Sequence, residues 1–284
     1  DGTESNPYLT VDKAYSLMTS GNNIILLSDI IVNESIEFDQ NKDLTLKSNF
    51  SEYTLKRGPM LMNELLRILS GNITIESVTI DGNVEECSSH ITTAAVYIEG
   101  NSTLTLSSMQ IINNCITEGY STASANGGAV RMTDHAVLNI GFGTYISNNA
   151  SYTGAALYAG GQSVINIDNA RITGNTSYFG KTAGAIYIGP AASIYLSGLV
   201  EIYDNMYTPE GMETRQCNIM LEDISIIRLV ENSLDSNSII GITCVVPPTI
   251  AGDVRVVDKL TQEESECFKS DYYYNLLFCD GTEN

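Results

Sequence analysis

A repeat governs this chain. Six segments share one pattern: an apolar triplet, a polar turn, a second alternating strand, and a third strand that ends near Asn. They start at Leu66, Val96, Val130, Leu157, Ile186 and Ile219, at offsets of 30, 34, 27, 29 and 33 residues. Within each unit apolar and polar residues alternate over three to five positions, as in Leu104-Thr105-Leu106 or Val164-Ile165-Asn166-Ile167. A period of two is the signature of a strand, and no helical period survives inside the repeats. A strand with one apolar edge cannot fold alone, so the units must stack and bury those edges in a shared core. Three strands per turn of 27–34 residues predict an all-β chain, a right-handed parallel β-helix.

The predicted inward columns are Leu66/Val96/Val130/Leu157/Ile186/Ile219 and Ile68/Ile98/Met132/Ala159/Ile188/Leu221. A strand-ending Asn recurs as Asn83, Asn114, Asn149, Asn175 and Asn205. Asn tolerates left-handed backbone and bonds its neighbours in tight corners, so these residues are expected to stack into a hydrogen-bonded ladder. The ends must differ, because a bare terminal coil would expose the core. Thr10–Ser20 reads as a capping helix, N-capped by Thr10, with Val11, Ala14, Tyr15 and Leu17/Met18 as its apolar stripe and Gly21 as its stop. One elongated domain follows: an N-terminal cap over 1–21, coils over 22–246, and a distinct C-terminal cap over 247–284. That last boundary is set by Pro247-Pro248 and the Tyr-rich Tyr272–Tyr274.

Charge narrows the function. With 34 acidic against 14 basic side chains the net charge is -20, which disfavours nucleic acid and anionic membrane surfaces alike. No apolar run approaches the ~20 residues of a membrane span. Absent Trp, abundant Tyr and a polar, turn-rich composition suit a soluble extracellular or cell-surface protein.

The coils Gly127-Gly128-Ala129-Val130, Gly154-Ala155-Ala156-Leu157-Tyr158 and Gly184-Ala185-Ile186-Tyr187 carry a resemblance. So do the closing stretch from Asn218-Ile219-Met220-Leu221 to Ile239–Thr243 and the opening Pro7-Tyr8…Ile24–Ile30. Over most of its length the chain resembles bacterial surface proteins with pectin-lyase-like β-helices. The resemblance implies surface display, adhesion or glycan contact, with a glycan or host surface ligand as partner. It departs from that group in having six cysteines.

Catalysis is tested residue by residue. A pectin-type hydrolase needs carboxylates converging across coils. Asn166-Ile167-Asp168 is the one fragment of such a signature. Asp-Asp is missing, His90 and His135 lack a following Gly, and no Arg has Lys two residues on. For a calcium-assisted lyase, Glu99, Arg131 and Asp134 are the best trio, close in repeat alignment. No Cys or His spacing suits zinc, and no phosphate loop or nucleophile elbow appears. The reading leans towards a non-catalytic module without a cofactor, calcium being the metal a lyase-like site would use. The alternatives are a diverged carbohydrate enzyme and a stalk.

Binding is assigned to the outward position of each triplet: Arg67, Tyr97, Arg131, Tyr158, Tyr187 and Met220 form one solvent-facing column. Parallel strands set these about 4.8 Å apart, close enough for rings and guanidinium groups to stack. Such a row suits sugar rings with carboxylate or sulfate groups, and the same stack also reads as a purely structural Tyr ladder. For the cysteines, coil spacing and an oxidising compartment predict Cys87–Cys115, Cys217–Cys244 and Cys267–Cys279. The sequons at Asn33, Asn49, Asn72, Asn101, Asn149 and Asn175 follow largely from composition.

Overall fold

The computed structural model describes residues 2–87, 91–116, 125–178, 184–208, 213–221, 227–244, 257–258 and 260–271, the side chains of 231, 232 and 244 excepted. It is a parallel β-solenoid of about seven turns. Each coil lays one strand on a nine-stranded face, one on a second face, and a triplet on a third. The second and third faces join at the C-terminal end, where Ile239–Cys244 pairs with Glu201–Ile202 at its start and with Ile219–Leu221 at its end.

The register stacks identical kinds of side chain. On the nine-stranded face Leu46, Ile75, Leu106, Ile140, Ile167, Leu196 and Leu229 sit in line. All are buried. Each such aliphatic removed from water stabilises the fold by about 1.5–3 kcal/mol before chain entropy is counted. Both inward columns expected from the triplets are buried, and they extend one coil further towards the N-terminus through Ile36 and Phe38. That first coil, Asn22–Phe38, contains no Gly.

The capping helix covers Val11–Leu17, and Thr10 accepts a hydrogen bond from the Lys13 N–H at 3.2 Å. Val11 and Tyr15 are buried, and Tyr15 packs edge-on against Phe38 with ring centroids 5.1 Å apart. The helix ends before Ser20 because Met18 turns extended while its N–H still bonds Ala14 O. At the other end the sheets continue past Val246. Val257–Asp258 adds to the nine-stranded face and Phe268–Ser270 pairs with Ile240–Ile242. Tyr272–Tyr274 lie outside the described residues.

The Asn ladder is present, with changed membership. Asn114 N donates to Asn149 Oδ1 at 3.1 Å. Asn149 N and Nδ2 both donate to Asn175 Oδ1 at 3.0 Å. Asn175 repeats this on Asn205 Oδ1 at 3.0 and 2.9 Å, and Asn205 on Asn218 Oδ1 at 3.1 and 2.8 Å. Asn218 ends the series on Asp271, its N and Nδ2 donating to Oδ2 and Oδ1 at 2.7 and 2.5 Å. Asn83 is no rung. Its Nδ2 bonds Arg57 O, and the buried Arg57 guanidinium takes its place by donating to Asn114 Oδ1 at 2.8 Å. Left-handed backbone falls on the residue before four of the rungs, at Asn113, Asn148, Gly174 and Asp204, so those rungs themselves keep ordinary geometry. The two sequons at Asn149 and Asn175 are therefore buried in the ladder, whereas Asn33, Asn49, Asn72 and Asn101 are exposed.

The expected Cys87–Cys115 bridge is absent: both are free thiols, as is Cys267. Cys87 Sγ points back to the Gly58 carbonyl at 3.6 Å, while Cys115 pairs its backbone with Ala150 of the following coil. The two residues engage opposite axial neighbours. For the other two pairs, Cys279 and the Cys244 side chain lie outside the described residues.

Candidate functional site on the triplet face

Strand register delivers the outward column as drawn from the sequence. Glu37, Arg67, Tyr97, Arg131, Tyr158, Tyr187 and Met220 are consecutive neighbours across the triplet face. Alternation explains it, since each triplet buries its outer residues and turns its middle one away from the core.

The column is not uniform. Arg67 is held by carboxylates, in an ion pair with Glu37 and a second contact with Glu64 at 4.0 Å. Tyr97 donates its hydroxyl to Glu99 at 2.9 Å and shares a hydrogen bond with Thr133 at 3.1 Å. Partial burial is the main reason its phenol is pushed above the ordinary tyrosine range. The Arg131 guanidinium lies 5.0 Å from the Tyr97 ring centroid. Tyr158 and Tyr187 are stacked, centroids 5.0 Å apart and planes at 12°.

Towards the C-terminal end the expected exposure fails. Tyr187 and Met220 are buried, and Tyr207 and Cys217 close over them. Tyr207 comes from Met206–Thr208, part of a small sheet formed where the chain leaves successive ladder rungs (Ala150–Ser151, Thr176–Tyr178, Met206–Thr208) with Arg215–Gln216 as its antiparallel edge. This sheet was not legible in the sequence, because its two- and three-residue strands lie in the variable loops. The accessible part of the column is thus Arg67, Tyr97, Arg131 and Tyr158, all half-buried.

Arg131 stands apart among them. Its Nε is buried and has no hydrogen-bond partner among the described residues, and it forms no ion pair there. Arg67 and Arg171 are both bound to carboxylates, the latter to Glu201 at 2.6 Å. Of the trio considered for catalysis, Glu99 and Arg131 both contact Tyr97. Glu99 is engaged by Tyr97, and Asp134 sits exposed in a left-handed turn whose backbone oxygen takes the Gln162 N–H. Among the described residues no three His, Cys, Asp or Glu side chains are grouped to hold a metal. His135 is exposed and His90 lies outside the described residues.

A cavity of about 420 Å³ lies elsewhere, at the corner between the nine-stranded and second faces, lined by Ile25, Lys47, Phe50, Glu52 and Glu76. It is open and shares no residue with the column. No helix among the described residues is long and apolar enough to cross a membrane. Compared with protein-family models, curated proteins and solved structures, the chain matches none. The solenoid rests on its own register, and no family follows from it.

Proposed function

We propose that this chain is a secreted or cell-surface solenoid module that binds glycans without catalysis, through Tyr97, Arg131 and Tyr158. One observation carries the reading: a guanidinium fixed on an aromatic ring, with a buried Nε unpartnered among the described residues, beside a second, half-buried ring. Burying a polar group without a partner costs about 1–3 kcal/mol, so the fold gives up stability to hold this guanidinium on the Tyr97 ring, as a binding site does. Tyr158 has one face committed to Tyr187, which leaves its hydroxyl edge and remaining surface for a sugar ring. Arg131 favours a sugar bearing an anionic group.

A glycan array with the intact chain, alongside a lyase assay on acidic polysaccharides, tests this. Binding without product release, weakened at least about tenfold by Arg131→Ala or Tyr158→Ala, is expected. Product release would make it an enzyme. The stack of Tyr158 on Tyr187 and the burial of Met220 favour a stalk as the second reading. Unchanged affinity with a lowered melting temperature in those variants would establish it.

A further inference from the structure

The ladder has a direction and two dissimilar ends. A guanidinium can only donate and a carboxylate can only accept. Arg57 therefore fixes Asn114 as an acceptor, and Asp271 fixes Asn218 as a donor. Every rung between them points the same way. Reversing one carboxamide would set acceptor against acceptor on one side and donor against donor on the other. Aligned bonds of this kind polarise one another in a low-dielectric interior. From Asp271 to Asn114 is five rungs, about 24 Å at the spacing of parallel strands.

The far end of the line touches the candidate site. Asn114 is the rung whose Nδ2 leaves the ladder: it donates to Thr93 O at 3.1 Å and Gly128 O at 2.7 Å. Those carbonyls belong to the segments that enter Val96–Ile98 and Val130–Met132, the strands bearing Tyr97 and Arg131. At the near end, Asp271 follows Phe268–Ser270, whose strand pairing is with Ile240–Ile242 alone among the described residues, and Thr243 Oγ1 adds a bond to Asp271 at 2.7 Å.

We propose that the ladder is a coupling line, through which docking of the C-terminal strap (Phe268–Asp271) sets the tightness of the Asn114 corner and hence the placement of Tyr97 and Arg131. Asn114 is a positioning residue in this scheme, and Asp271 is its remote anchor. The functional consequence rests on the glycan reading above; the coupling itself does not.

Backbone amide exchange on the intact chain, without ligand, tests it. In Asp271→Ala the Asn218 amide loses its acceptor. Its exchange should rise at least about tenfold, with a decreasing but measurable rise at Asn205, Asn175, Asn149 and Asn114. Leu138 and Ile165 on the nine-stranded face should keep wild-type rates. Asp271→Asn keeps one acceptor oxygen, enough for the Asn218 N–H, and should exchange measurably more slowly there than Asp271→Ala. Faster exchange at Asn218 alone, with Asn149 and Asn114 unchanged, would overturn the coupling. Equal acceleration on the nine-stranded face, or an Asp271→Asn variant as loose as Asp271→Ala, would overturn it as well. Glycan binding unchanged by Arg131→Ala, with the graded exchange pattern of Asp271→Ala intact, would refute the glycan reading and leave the coupling standing.

Discussion

Replacing Asn175 with Ala removes one rung from the middle of the ladder, and the structure fixes what is lost. Asn175 Oδ1 accepts both Asn149 donors, while its Nδ2 donates to Ile146 O, Thr173 O and Asn205 Oδ1. The Asn149 Nδ2 keeps its bonds to Ile111 O and Ser147 O, and Asn205 Oδ1 keeps the Asn175 backbone N–H. Among the described groups the Asn149 N–H is left with no acceptor, in a fully enclosed corner. An orphaned buried donor costs about 1–3 kcal/mol and each forfeited net bond about 1 kcal/mol. The sum is roughly 3–5 kcal/mol, large for one substitution.

The isosteric change Asn175→Asp sharpens the test. The carboxylate still serves the Asn149 donors, but its other oxygen now faces three acceptors in place of donating to them. At neutral pH this variant should be less stable than Asn175→Ala, and acid should recover it, because the protonated oxygen can donate again. Urea unfolding followed by circular dichroism reads both effects. If Asn175→Ala costs under about 1 kcal/mol, or Asn175→Asp is the more stable of the two at neutral pH, the ladder is ornamental and the aliphatic stacks alone hold the corner.

Gly241→Ala should destabilise the C-terminal coil by at least about 1–3 kcal/mol in urea unfolding, since a methyl there would overlap Asn218 Nδ2 and Asp271 Oδ1; a neutral result would show that the last rung moves freely. Burial is the main reason the Asp271 carboxyl is pushed above the ordinary carboxylate range. A raised folded value means that its contribution to stability is fully present below the ordinary carboxylate range and is lost as pH rises through the folded value. The stability of wild type relative to Asp271→Asn should therefore fall from acid to neutral pH, and a rising difference would refute this. In denatured, unreduced protein Cys87, Cys115 and Cys267 should all alkylate, and peptide mapping that recovers Cys87 joined to Cys115 would contradict the opposed directions of these two residues.

What the sequence made legible is what repetition enforces. The triplets at Leu66, Val96, Val130, Leu157, Ile186 and Ile219 bury identical faces, so a slip of one residue would turn both core columns outward. Register, core and the outward column could all be read from period two alone. The first coil was harder, because Ile36-Glu37-Phe38 has the same alternation without a Gly-rich entry. The ladder was half-legible: Asn114, Asn149, Asn175 and Asn205 follow the strand ends, but Asn218 joins from a return strand only 13 residues later and Asp271 from the strap. Arg57 was hidden because in sequence it closes a strand like any surface cation, and only stacking puts it under Asn114.

Function was less legible for a physical reason. Inward positions answer to one shared core, whereas each outward residue answers only to its own neighbours. Tyr187 and Tyr158 occupy the same triplet position, yet one is covered by Tyr207 and the other is not, and the difference is made by loops that carry no periodic signal. Arg67 and Arg131 likewise share a position, and what separates them is the chance of an adjoining carboxylate: Glu37 stands in the column beside Arg67, whereas Tyr97 and Tyr158 flank Arg131. Among the described residues the partner Arg131 finds on its own sheet is the Tyr97 ring, not a carboxylate. That leaves the Arg131 Nε buried and, among those residues, without a hydrogen-bond acceptor.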